Sequence, residues 1–260
     1  MTQSTRVALI TGSTSGIGLG IAKKLANEGF DVALNSFEPE ADVTEVFAEV
    51  DALGTGRVIY LQADLSKREG GQLVDATVAA FGKIDVLVNN AGIQKVAPVE
   101  EFDPDDWERV TAIALDGSFH TIRRAIPGMA ARGWGRIINV ASAHGLVASP
   151  FKSAYVSAKH GVLGLTKTVA LEVAERGVTV NAICPGYVLT PLVEAQLKDQ
   201  ARVHGISEDE VKRNIMLAPQ PTKQFVTVEE VAALAFFLCG DMARSITGAA
   251  IAMDGGWTAK

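Results

Sequence analysis

Ser142, Tyr155 and Lys159 are the residues whose types and spacing suit moving a proton to or from an alcohol oxygen. Tyr155 and Lys159 stand four apart, which on a helix puts both side chains on one face, about 6 Å apart along the axis. Lys152 to Glu172 has the periodicity of such a helix, with Ala154, Ala158, Val162, Leu163, Val169 and Ala170 in its apolar stripe. A phenol has an ordinary pKa near ~10 and is a poor base at neutral pH. An ammonium one turn away is expected to stabilise the phenolate and lower that value. Ser142 follows the strand-like run Arg136 to Val140, and its hydroxyl is suited to hold a substrate oxygen while the phenol moves a proton. Tyr-x-x-x-Lys alone is also an ordinary helix surface, so the surrounding elements decide.

The clearest of these is Thr11-Gly12-Ser13-Thr14-Ser15-Gly16-Ile17-Gly18, between the apolar run Val7 to Thr11 and a helical stretch Leu19 to Glu28. Strand, glycine-rich turn and helix together form a pyrophosphate cradle: the glycines admit a close backbone approach and the helix start offers free N–H groups. The spacing Gly-x-x-x-Gly-x-Gly differs from the commoner Gly-x-Gly-x-x-Gly. Asp31 to Ser36 reads as a second strand. An acid at its end serves the ribose of NAD, and a base the 2′-phosphate of NADP. Leu34-Asn35-Ser36-Phe37-Glu38 lacks the acid in its usual place, and no Lys or Arg occurs between Lys24 and Arg57. NAD is therefore favoured. Phe37 fits either a contact with adenosine or a core position. Asp64, before Leu65, fits either an adenine contact or the N-cap of a helix from Ser66 to Phe81.

Further strands are expected at Arg57 to Gln62, Ile84 to Val88, Val178 to Ile183 and Ala249 to Met253, and further helices at Val43 to Leu53, Asp103 to Met129 and Val228 to Leu238. The Asp103 helix is expected to end near Pro127-Gly128. This alternation predicts one α/β Rossmann-type domain over residues 1–260: a doubly wound, parallel, seven-stranded sheet with helices on both faces. Tyr187 to Gln224 carries three prolines and mixed polarity and reads as a helical lid insertion.

Composition narrows the function. The 260 residues are 48% hydrophobic and 21% charged, with a net charge of −6 and no basic cluster, which disfavours nucleic acid as a partner. No apolar run reaches the roughly 18 residues of a membrane span. The polar start, Met1 to Arg6, is unlike a signal peptide. Cys184 and Cys239 have neither metal nor redox spacing; reduced thiols and a cytoplasmic location are expected, and no metal site.

In this order the glycine loop, Asn89-Asn90-Ala91-Gly92, Ser142, Tyr155-x-x-x-Lys159 and Pro185-Gly186 resemble the short-chain dehydrogenase/reductase family over nearly the whole chain. The resemblance implies that Tyr155 is the acid/base, that Ser142 polarises the substrate oxygen, and that Lys159 binds the nicotinamide ribose and lowers the Tyr155 pKa. It implies NAD contacts from Gly12, Thr14, Ser15, Gly16, Ile17, Gly18, Phe37, Asp64, Leu65, Asn90, Ala91, Gly92, Tyr155, Lys159, Pro185, Gly186, Val188 and Thr190. It also implies a homotetramer.

Within the family, Asn90 to Gln94, Ala141 to Ser149, Thr190 to Val193 and Asp254 to Ala259 resemble bacterial members that oxidise a short 3-hydroxy acid. That likeness puts the substrate carboxylate on Gln94, His144, Lys152 and Gln196, and its methyl end against Trp257 and Tyr187. Each also has a plainer reading: a solvated Lys152, a loop-bracing His144, surface amides, tail packing for Trp257. His120, His160 and His204 read as structural or surface residues. The expected reaction is reversible, NAD-dependent oxidation of (R)-3-hydroxybutyrate to acetoacetate. The alternatives are a reductase of another small keto acid or acetoacetyl ester, and a catalytically silent NAD-binding protein.

One departure bears on the proton path. Where the family has Asn-Leu-x-x-x-Phe, this chain has Ala114-Leu115-Asp116-Gly117-Ser118-Phe119. In the family that Asn holds a local helix distortion through which water reaches the Lys. Ala prefers an unbroken helix and offers no side-chain hydrogen bond, which puts the relay beyond Lys159 in question; Asp116 as a substitute and an engineered replacement of the Asn are the two readings left open.

Overall fold

The computed structural model describes residues 5–190, 193–194, 197, 201 and 205–259. Seven strands form one sheet: β1 (Val7–Ile10), β2 (Asp31–Ser36), β3 (Val58–Gln62), β4 (Val86–Asn89), β5 (Gly135–Val140), β6 (Val178–Pro185) and β7 (Ala250–Met253). Their order is β3-β2-β1-β4-β5-β6-β7, and every neighbouring pair is parallel. A parallel sheet covered on both faces asks for continuous apolar strands. β1, β4, β5 and β6 are buried along their whole length.

The eight helices are α1 (Gly16–Asn27), α2 (Thr44–Asp51), α3 (Gly70–Phe81), α4 (Pro104–Thr111), α5 (Gly117–Ala131), α6 (Ser153–Val173), α7 (Glu208–Val211) and α8 (Val228–Cys239) among the described residues. Ile21 and Leu25 of α1 join Val231 and Leu238 of α8 in one core. Leu73 of α3, Ile122 and Met129 of α5, and Val169 and Val173 of α6 build a second. Strand order reverses at β1, which pairs with both β2 and β4. Crevices beyond the strand ends at such a switch point are where ligands bind in open α/β sheets.

Three expectations need correction. First, the helix expected from Ser66 starts only at Gly70; Asp64 instead caps the short 3-10 turn Leu65–Lys67, accepting from Ser66 N–H at 3.0 Å and Ser66 Oγ at 2.6 Å. Second, α5 runs through Pro127 to Ala131. Third, the Asp103 to Met129 segment is not plain α-helix around Ala114. A π-helical turn, Ala112–Asp116, joins α4 to α5 although no Asn is present. Packing accounts for it. Leu115 fills a notch at Gly161 of α6, where a Cβ would come within 2.8 Å of Leu115 Cδ2. Gly117 lies against Leu65, where a Cβ would be 3.3 Å away, and Ser118 Oγ donates to Ala114 O at 2.8 Å. Asp116 is exposed.

Gly18 has no room for a side chain: a Cβ there would sit 2.3 Å from Gly12 O and 2.4 Å from Asn90 Nδ2. Gly71, in the first turn of α3, has nothing within 4 Å. Gly18→Ala should therefore cost about 1–3 kcal/mol. Gly71→Ala should be neutral or stabilise by up to about 1 kcal/mol. Thermal melts compare the two; equal effects would mean that the loop is not closed on Gly18.

Candidate active site

α6 and the end of β5 bring the three chemical residues together. Ser142 leaves β5 in an extended conformation, and its Oγ accepts from His144 N–H at 3.1 Å. Tyr155 and Lys159 are one turn apart on α6. Lys159 is buried; its Nζ donates to Val140 O at 2.8 Å and lies 5.6 Å from the Tyr155 ring centroid. Burial lowers the Lys159 pKa to about 8. Tyr155 does not show the expected depression. Burial raises its pKa above 10.0, a Ser142 hydrogen bond opposes this, and neighbouring Tyr187 adds to the rise. Desolvation of the phenolate outweighs the help expected from Lys159.

The glycine loop after β1 is braced from several sides. Asn90 Nδ2 donates to Thr11 O at 3.0 Å and Gly12 O at 2.9 Å, while Thr11 Oγ1 accepts from Asn90 N and Ala91 N. Gly12 and Gly16 have φ of 61° and 53°, in the left-handed region. Ser15, the N-cap of α1, makes no side-chain cap, so the helix start keeps N–H groups for an anion. Thr190 faces this loop, with its Cγ2 3.5 Å from where a Gly16 Cβ would be. A cradle closed to any Cβ at Gly18 and headed by free N–H groups fits a dinucleotide pyrophosphate.

Other expected cofactor residues divide. Gly92 lies beside Lys159: a Cβ there would be 3.7 Å from Nζ. β6 ends at Pro185, and Gly186 follows it, packed against Gln220 and Asp254. Ile17 packs partly against the core, and Leu65 and Val188 are buried in it. Asp64 Oδ1 accepts from Ser66, and its Oδ2 lies 3.5 Å from Lys67 Nζ. Phe37 is 65% exposed, so the core alternative fails.

Glu38 escaped the sequence reading. Its Oε2 accepts from Thr14 Oγ1 at 3.1 Å and Ser36 Oγ at 2.8 Å. An acid thus does stand beside the glycine loop, two residues beyond β2. The signal was present in the short Ser36-Phe37-Glu38 spacing, but nothing local says that the chain turns the carboxylate back.

On the substrate side, His144 lies edge-on to Tyr155 at 6.0 Å and to Trp257 at 4.9 Å between centroids. Tyr187 stacks on Trp257 at 5.8 Å with 5° between planes, and Lys152 Nζ is 5.7 Å from the Tyr187 centroid. Burial, then the Lys152 charge, lowers the His144 pKa to about 4, so its imidazole is neutral at pH 7 and shares a 2.9 Å hydrogen bond with Ser149 Oγ. Burial also lowers the Lys152 pKa. Gln94 is exposed on its loop, which is tied to the Lys152 loop by Ala97 N–H donating to Phe151 O at 3.0 Å. His160 is exposed. Gln196, His204 and residues 191–192, 195, 198–200 and 202–203 of the expected lid lie outside the described residues. Among the described residues no His, Cys, Asp and Glu cluster is grouped to hold a metal ion, and no helix is long and apolar enough to cross a membrane.

Fold, glycine loop and Ser-Tyr-Lys arrangement define an oxidoreductase of Rossmann type. Residues 6–201 match the short chain dehydrogenase family, and the chain belongs to it. D-beta-hydroxybutyrate dehydrogenase of Rhizobium meliloti is 58% identical over 98% of this chain and 100% of its own length. The protein of the same name from Cupriavidus necator is 53% identical over 98% of both. A solved structure described as a short-chain alcohol dehydrogenase from Sinorhizobium meliloti superposes with a TM-score of 0.88, at 32% identity over 99% of this chain and 98% of that one.

The buried, neutral His144 predicts a pH dependence. Its folded pKa, about 4, lies below the 6.5 of a free imidazole. Between these values the unfolded chain binds the proton and the folded one does not, so stability falls as pH drops through that window. His144→Gln removes this titration. Its melting temperature should decline less steeply than the wild type's between about pH 6.5 and 4. Identical slopes would mean that His144 takes up its proton in the folded protein.

Proposed function

We propose that the chain oxidises (R)-3-hydroxybutyrate to acetoacetate, reversibly, with NAD. The observation that carries this reading is the place of Lys152. Its ammonium lies against Tyr187, beside neutral His144, at the head of the helix that holds Tyr155 and Lys159. A short 3-hydroxy acid has its carboxylate two carbons from the reacting alcohol, so one cation must stand at a fixed distance from Ser142 and Tyr155. The names and identities of the two relatives support the same substrate.

Gly12, Thr14, Ser15 to Gly18, Asn90 to Gly92, Pro185-Gly186 and Thr190 would hold the cofactor. Bound NAD supplies the hydride acceptor for C3. Ser142 holds the C3 oxygen, and Tyr155 takes the hydroxyl proton on oxidation and returns it on reduction. Lys159, anchored on Val140 O, holds the ribose. Lys152, His144, Gln94 and Gln196 hold the carboxylate, and the uncapped N-terminus of α6 adds a favourable dipole for it. We further infer a single domain with a lid over about 187–224, a homotetramer, and a cytosolic enzyme whose buried Cys184 and Cys239 stay reduced.

Two experiments test this reading. Lys152→Ala should raise KM for 3-hydroxybutyrate about ten- to a hundredfold, the worth of a charge-assisted hydrogen bond. The neutral methyl ester should lose far less, and NAD affinity should hold. Equal losses for acid and ester would remove Lys152 as carboxylate reader. For the cofactor, Glu38 beside Thr14 would accept from ribose hydroxyls and repel a 2′-phosphate. Wild type should prefer NAD, and Glu38→Arg should shift the NADP/NAD ratio of kcat/KM upward by at least about tenfold. A wild type that uses both equally would falsify the assignment.

A further inference from the structure

Gln220 has the least solvent exposure that a polar side chain can have, 0%, although it sits in a loop outside the sheet. Both ends of its amide are used. Its Oε1 accepts from Tyr187 N–H at 2.5 Å, and its Nε2 donates to Gln224 O at 2.7 Å. The other polar backbone group of Tyr187, its carbonyl, accepts from Val226 N–H at 2.9 Å, and Val188 bridges Val226 in parallel. The amide is also wedged between two glycines. A Cβ on Gly186 would come within 2.4 Å of Gln220 Oε1, and one on Gly255 within 3.2 Å of Nε2. Gly255 O in turn accepts from Thr222 N–H at 3.1 Å. Gly255 opens the C-terminal turn that the Asp254 carboxylate fixes, accepting from Gly256 N–H at 3.0 Å and Thr258 N–H at 2.8 Å.

Gln220 therefore joins the two chain segments that carry Tyr187 and Trp257, whose rings are stacked. That stack is the wall against which Lys152 lies and which His144 meets edge-on. We propose that Gln220 is a positioning residue: its buried amide sets the Tyr187–Trp257 wall, and the wall aims Lys152 and His144 at the substrate carboxylate. It does not itself touch substrate. The inference rests on the reading of this wall as the acid-binding side, and Tyr187 is fixed in it through both its N–H and its carbonyl.

Two variants test it. Gln220→Met keeps length and volume but makes neither hydrogen bond. Gln220→Glu keeps both bonds only when protonated, since its carboxylate accepts from Tyr187 N–H but faces Gln224 O with no proton to give. The charged groups on the elements around it are Asp254, committed to the C-terminal turn, and Lys223, whose Nζ donates to Leu217 O and Ala218 O. Near-UV circular dichroism reads the stacked rings directly, and steady-state kinetics read their effect. For Gln220→Met the aromatic signal should weaken and KM for 3-hydroxybutyrate rise about tenfold, with kcat and NAD affinity much less affected. For Gln220→Glu both defects should recede as pH falls from about 8 to 5.5, with no such trend in wild type or Gln220→Met. An unchanged aromatic signal in Gln220→Met overturns the proposal. So does a loss shared equally by KM, kcat and NAD affinity in both variants at every pH, which is the mark of general destabilisation. If wild type fails to oxidise 3-hydroxybutyrate, the substrate reading falls, and the spectroscopic arm alone decides whether Gln220 sets the wall.

Discussion

The site depends on one buried hydrogen bond, from Lys159 Nζ to the Val140 carbonyl. A lysine so buried must find partners or lose its proton. This one takes a carbonyl at the last residue of β5, two residues before Ser142. The bond thereby fixes the height of α6 along the sheet. Ala158 and Val162 of α6 are buried and seat the helix sideways, and the lysine sets its register. Tyr155, one turn earlier, then lies where Ser142 emerges. Move α6 by a turn and all three groups separate by more than a hydrogen bond can span.

The same burial decides the charges. It raises the Tyr155 pKa, so that oxidation must draw on the phenolate and reduction on the phenol, brings Lys159 down to about 8 and keeps His144 neutral. Lys152, half-buried at the helix start, is left as the cation of the substrate side. A neutral imidazole next to an ammonium is a useful pair for a carboxylate: one supplies charge, the other a direction, and neither repels the other. Had His144 been charged, it and Lys152 would have competed for the same small volume.

Much of this is legible in the sequence. β1, the glycine loop and α1 follow from an apolar run, three glycines and helical periodicity. Ser142, Tyr155 and Lys159 are readable because strand and helix periods place them. What is not legible is set by contacts distant along the chain. Glu38 turns back to Thr14, 24 positions away. Gln220 has no mark in the sequence beyond its place in the Tyr187 to Gln224 stretch, and its partner, Tyr187 N–H, is 33 positions away. The rise in Tyr155's pKa is likewise a property of the packed pocket. Sequence spacing reports that a lysine is near; it does not report how little water is.

The π-helical turn at Ala112–Asp116 shows the same limit from the other side. A side-chain amide is one way to hold such a distortion, and its absence suggested an unbroken helix. Here the turn is held from outside. Leu115 seats in the Gly161 notch, Gly117 lets Leu65 come close, and Ser118 Oγ takes up the Ala114 carbonyl. A widened turn leaves carbonyls out of the i→i−4 ladder, and such groups must bond elsewhere. The distortion and the side chain that often accompanies it are thus separable. Packing supplies the geometry, and Ser118 Oγ takes the Ala114 carbonyl that this geometry leaves over. Ala114, buried at 2% exposure, contributes only its backbone. Asp116 is exposed and makes no cap of the turn.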